Sequence, residues 1–220
     1  MFIPPVAIYV SWIGILYAFT TMNALSSYAN SAVVLFLIMT WITMSLFLLE
    51  EVAEKHILMV HLKRKSYFLR GKWIACLLVM LPLIAFAHLY PVVFNVFVEP
   101  LTGAQHILSL YCHLVLGAFG ILIGSFFAGT GLAKRKYAWL LTALTVTASM
   151  AYSQLAELLP AWLSWILWLL PPLRYAYGPL KDSLHGELPP GFLASFSLSL
   201  FYLLIVGIIV HRVFHRHEDY

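Results

Sequence analysis

Glu50, Glu51 and Glu54 stand almost side by side, and Lys63, Arg64 and Lys65 follow them in the same polar stretch. Clustered carboxylates ahead of clustered cations can orient a surface helix or pair with a partner. Nine histidines form the other reactive set. His211 and His215 are four apart and would share a helix face, as a metal pair requires. Arg212 and Arg216 interleave with them, and no carboxylate or thiolate joins the spacing, so a basic tail touching anionic headgroups is the stronger reading. His88, His106 and His113 fall where apolar stretches approach the outer leaflet. Cys76 and Cys112 lie inside apolar runs and read as small fillers rather than a disulfide or a metal pair. There is no glycine-rich phosphate loop with its lysine, no G-x-S-x-G and no H-E-x-x-H. No catalytic group and no metal is assigned.

The elements that must hold these residues follow from composition. Of 220 residues, 62% are hydrophobic and 10% charged, with a mean hydropathy of +0.90. That leaves too little polar surface for a water-soluble domain, so the bilayer is the solvent. A helix needs about 20 apolar residues to cross. Stretches at 6–22, 31–49, 73–90, 107–129, 137–158 and 192–210 predict an all-α membrane protein of six transmembrane helices in one domain, 1–220. The first stretch reads as a retained span, because no basic n-region precedes it. Lys55, Lys63, Arg64, Lys65, Arg70, Lys72, Lys134, Arg135, Lys136, Arg212 and Arg216 would lie on one face, and only Arg174 and Lys181 on the other. Cytoplasmic loops carry the Lys/Arg excess. Loop 50–72, residues 134–136 and both termini are therefore expected inside. The net charge of +4 follows from this sidedness and gives no argument for nucleic acid.

Two further features shape the expected fold. Gly117, Gly120, Gly124 and Gly129 give the fourth span a small-residue face, which favours close packing within the subunit over a contact between subunits. Residues 159–190 open with LPAWLSWILWLLPP, apolar but too short to cross. Trp162, Trp165 and Trp168 recur every third residue and favour headgroup depth. This segment is expected as a short external re-entrant helix between the fifth and sixth spans. Glu157 stands at the membrane edge before it. Pro82 is expected to kink the third span.

The 50–72 loop reads as acidic residues, a short apolar helix over HILMVHL, a basic patch, and Gly71–Lys72 leading into the next span. This order resembles the permease subunit of ATP-binding-cassette type-2 exporters. Their loop after the second span carries a coupling helix, and their external re-entrant segment shows L-P-x-W-L and later a proline followed by a tyrosine. Pro171 and Tyr175 match that last pattern. The resemblance implies that Glu50, Glu51, Glu54, Ile57, Leu58 and Leu62 couple to an ATPase partner. It places Lys63, Arg64, Lys65 and Lys72 at the membrane surface, and Glu157, Trp162, Trp165, Trp168, Pro171 and Tyr175 in the external segment. It also implies a dimer of permease copies in a bacterial or archaeal inner membrane and separate P-loop ATPase subunits that hold the ATP and magnesium. The chain itself would hold no cofactor, and the cargo would be an amphiphile such as a peptide, lipid or hydrophobic drug. The chain departs from the family's amphipathic N-terminal helix, with MFIPP in its place. Glu50–Glu51 with Lys55 also resembles the E-E-x-x-x-R signature of abortive-infection-type intramembrane proteases. That family needs phenylalanine four residues before a histidine, and Ile84, Thr102 and Ser109 precede His88, His106 and His113 instead. An enzyme of that class and a small membrane scaffold are the alternatives.

Overall fold

The computed structural model of the protein describes residues 3–18, 23–62, 64–97, 101–130, 135–182 and 188–217, and every regular element among them is helical. The α-helices are Ile3–Ala18 (α1), Ala24–Phe47 (α2), Val52–His61 (α3), Lys65–Val93 (α4), Gly103–Gly129 (α5), Arg135–Met150 (α6), Tyr152–Leu158 (α7), Leu173–Asp182 (α8) and Phe192–His217 (α9). A 3₁₀ helix occupies Ala161–Leu169. Local chemistry fixes several starts. Asn23 Oδ1 accepts from the Leu25 N–H at 3.0 Å to begin α2. Thr102 and Gln105 close a capping box that begins α5.

The α2–α5 pair is the centre of the molecule. A Cβ added to Gly120 would lie 2.6 Å from the Phe36 carbonyl oxygen, and one on Gly124 would lie 2.9 Å from that of Thr40. Only hydrogen fits between backbones this close. The small-residue face therefore serves packing within the subunit.

Four helices are long and apolar enough to cross a membrane: α2, α4, α5 and α9 as far as Arg216. The chain is built as a membrane protein. α1 and α6 have 16 residues each, short of the roughly 20 needed to cross. The apolar stretch 137–158 is divided at Ala151, although the Ala151 N–H still bonds Thr147 O and the Leu155 N–H bonds Ala151 O, both at 2.9 Å. Thr142, Thr145 and Ser149 donate back to Ala138 O, Leu141 O and Thr145 O at 2.6–2.9 Å on the approach to this break, and such bonds compete with the helix ladder. α4 runs through both Pro82 and Pro91 to Val93, three residues past the end of the expected span 73–90.

Beyond α7, Leu159 is extended, as a residue before proline tends to be. The 3₁₀ helix then fills the gap between Pro160 and Pro171. With three residues per turn, Trp162, Trp165 and Trp168 eclipse into one exposed ridge. At this end of the bundle, Leu173, Ala176 and Leu180 of α8 pack on Leu25 and Leu108. At the opposite end, Phe47, Met59, Phe68, Val210 and Phe214 tie α3 to α2, α4 and α9.

Candidate functional site

The α3 elbow is built from its carboxylates. Glu51 is the N-cap of α3, and Glu54 Oε2 accepts from the Glu51 N–H at 3.1 Å, so the two close a capping box. The negative charge also sits at the positive end of the helix dipole. Glu50 pairs with Lys72, whose Nζ donates to Leu46 O at 2.8 Å and lies 5.2 Å from the Phe68 ring centroid. Its ammonium turns inward and ties the end of α2 to α4, because a buried cation needs a carboxylate and a carbonyl to replace water. All three glutamates take part in local contacts, Glu50 through Lys72 and Glu51 with Glu54 through the capping box, while Glu51 and Glu54 remain exposed.

Apolar side chains divide α3 into two faces. Met59 is 1% exposed and seats in the Phe68–Phe214 cluster, while Lys55 lies 5.5 Å over the Phe214 ring. Ile57 is 58% and Val60 61% exposed, with Leu58 and Leu62 also uncovered. One face clamps the helix down, and the other presents an aliphatic ridge beyond it. Ile57, Leu58 and Leu62 were legible as this ridge. Val60 was missed, although its apolar type within HILMVHL was signal enough. Arg64 is the exposed N-cap of α4, Lys65 opens that helix half-buried, and Lys63 lies outside the described residues.

A polar network occupies the other end. His113 Nδ1 bonds Ser109 O at 2.8 Å, and its Nε2 meets Ser31 Oγ at 2.9 Å. A carbonyl only accepts, so Nδ1 carries the proton and Nε2 takes that of Ser31. His88 Nδ1 meets Ser109 Oγ at 3.2 Å, and His88 Nε2 meets His106 Nδ1 at 3.0 Å. The Tyr28 ring stacks on His88, and its hydroxyl donates to His88 O at 3.3 Å. These groups satisfy one another across α2, α4 and α5. Among the described residues, no three His, Cys, Asp or Glu side chains are placed to hold a metal ion. The network ties helices together and has the chemistry of a structural element. At the end of α9, the His211 and His215 rings lie 4.7 Å apart, and among the described residues no third side chain of that kind joins them.

The segment 159–182 places its marked residues in three ways. Glu157 is exposed on α7, Pro171 is buried, and the three tryptophans face outward. Tyr175 is half-buried, and its carbonyl accepts from Tyr111 OH at 3.0 Å. The tyrosine thus anchors α8 to α5 rather than lying free. Arg174, not marked as a site from sequence, reaches Tyr175 OH at 2.6 Å. Comparison with family models, curated proteins and solved structures finds no match for the chain.

Proposed function

We propose that the chain is the membrane-spanning subunit of an ATP-driven exporter, with α3 as the helix that receives force from a separate ATPase. The observation that carries this reading is the aliphatic ridge of α3. A ten-residue helix pinned between two long apolar helices leaves Ile57, Leu58, Val60 and Leu62 uncovered, while its other face is clamped by Met59. Exposed apolar ridges on rigid supports mark contact surfaces.

In this reading α1, α2, α4, α5, the interrupted α6–α7 pair and α9 are six crossings, with α3 and both termini in the cytoplasm of a bacterial or archaeal cell. The 3₁₀ helix and α8 form the external re-entrant segment. Two permease copies pair, two P-loop subunits bind ATP and magnesium, and the chain performs no chemical step itself. Each nucleotide state of the partner binds one arrangement of the permease better and so shifts its population. The cargo is an amphiphile.

Burying one leucine side chain at such a contact is worth roughly 1.5–3 kcal/mol, whereas an exposed ion pair gives only about 0.2–1 kcal/mol. Docking therefore depends on the ridge. The test is co-purification of the tagged chain with a P-loop ATPase from its own cell, followed by Leu58→Asp. The variant should insert normally yet lose both the ATPase and transport-stimulated hydrolysis. A wild-type chain that brings down no ATPase, with α3 labelled by lipid-borne probes instead, would make α3 a membrane-surface helix and end the exporter reading.

A further inference from the structure

Between α5, α6–α7, the 3₁₀ helix and α9 lies a cavity of about 670 Å³, within the roughly 300–1,000 Å³ typical of small-molecule pockets. Its wall follows α9 from Leu198 to Ile209. At about 1.5 Å per residue this length is about 16 Å, close to half of the roughly 30 Å hydrocarbon core. The cavity is as long as one leaflet is deep. Its walls are almost wholly aliphatic and aromatic, with Phe127 and Phe201 among them.

Among the described residues of the lining one side chain is charged, and it stands at the α8 end. The Arg174 guanidinium lies 5.0 Å from the Tyr152 ring centroid and 4.6 Å from that of Tyr175, and donates to Tyr175 OH at 2.6 Å. The rings orient the planar group without neutralising it. Among the described residues, no carboxylate is paired with it. Trp168 also lines this mouth, and Trp and Tyr favour headgroup depth.

We propose that the crevice binds one acidic phospholipid, with an acyl chain along α9 and the phosphate on Arg174. A guanidinium matches phosphate with two parallel hydrogen bonds. A free anion would leave the apolar length unused, and a headgroup of zero net charge would leave the cation uncompensated. This site stands whether or not the chain works with an ATPase.

The test uses the whole chain purified in detergent and mixed with equal amounts of phosphatidylglycerol and phosphatidylcholine of identical acyl chains. Native mass spectrometry then counts the lipids retained. One phosphatidylglycerol should be held with about tenfold preference, the scale of one charge-assisted hydrogen bond. Arg174→Gln should bind both lipids equally, and Arg174→Lys should keep part of the preference. Ile205→Trp, which fills the crevice from another helix, should lose the bound lipid of either kind. Equal retention by the wild type, an unchanged preference in Arg174→Gln, or full retention in Ile205→Trp would each overturn the site. Displacement of the lipid by excess inorganic phosphate alone would show a simple anion site and overturn it as well.

Discussion

α5 and α9 are both apolar enough to cross a membrane, yet 72% of the most apolar stretch of α5 is buried inside the protein against 11% of that of α9. Hydrophobicity does not explain the difference, since that stretch of α9 is more apolar than that of α5. In lipid, greasy side chains gain nothing by leaving one hydrocarbon for another. What α5 has and α9 lacks is a face of glycines that lets its backbone touch the backbone of α2. Leu193, Phe201, Leu204 and Ile208 of α9 stay exposed because their bulk holds neighbours away and the bilayer already accommodates them. Burial in this protein tracks closeness of approach.

The sharpest way to break that comparison is to place the same substitution on each helix. Gly120→Leu puts side-chain atoms where the Phe36 carbonyl and Thr40 backbone already stand, and backbone cannot swing aside. It should destabilise the folded protein by about 1–3 kcal/mol or more, read as a lowered unfolding midpoint in detergent. Gly207→Leu on α9, where the nearest atom to an added Cβ is 4.0 Å away, should leave the midpoint almost unchanged. Equal losses at both sites would show that the seam is not special.

Met59→Ala carries the contrast to α3. Removing this buried side chain should cost about 2–5 kcal/mol of local packing and release α3 to proteolysis, while Leu58→Ala on the uncovered face should leave cleavage at its wild-type rate. Tyr111→Phe probes the main polar tie of α9. Its hydroxyl meets Tyr175 O, Ser195 O and Ser199 Oγ at 3.0–3.2 Å. Losing it should weaken the attachment by about 1–3 kcal/mol, seen as faster hydrogen exchange confined to α8 and the start of α9. The smallest effect belongs to Glu51→Gln. An amide oxygen still accepts the capping bond, so the midpoint should move by only a few tenths of a kcal/mol.

The long helices and the glycine face were legible because both are periodic signals carried by neighbouring residues. The tryptophan ridge was legible for the same reason, with prolines bounding it. The break at Ala151 was not, because hydropathy averages over Thr142, Thr145 and Ser149 and cannot register hydroxyls bonded to their own helix. The pairing of Lys72 was not legible for a related reason. Counting cations assigns a side of the membrane, but the pairing with Glu50 spans 22 residues and exists only once α2 and α4 lie together. The histidine network has the same origin, since Ser31 and His113 are 82 residues apart. Sequence could place each group near one end of the bundle without showing that they meet.

That separation sets an order of events during synthesis. At about 5–20 residues per second, several seconds pass between the emergence of α2 and that of the part of α5 it must join. Through that interval α2 carries hydroxyls with no seam to face, yet Thr40 Oγ1 donates to Phe36 O at 2.8 Å, and Ser31 Oγ, 3.0 Å from Tyr28 O, can donate there until His113 Nε2 takes its proton. His113 likewise reaches Ser109 O on its own helix. Each half of the seam can therefore wait in hydrocarbon with most of its polar groups bonded locally, and the nascent chain needs no partner helix at hand to keep α2 inserted.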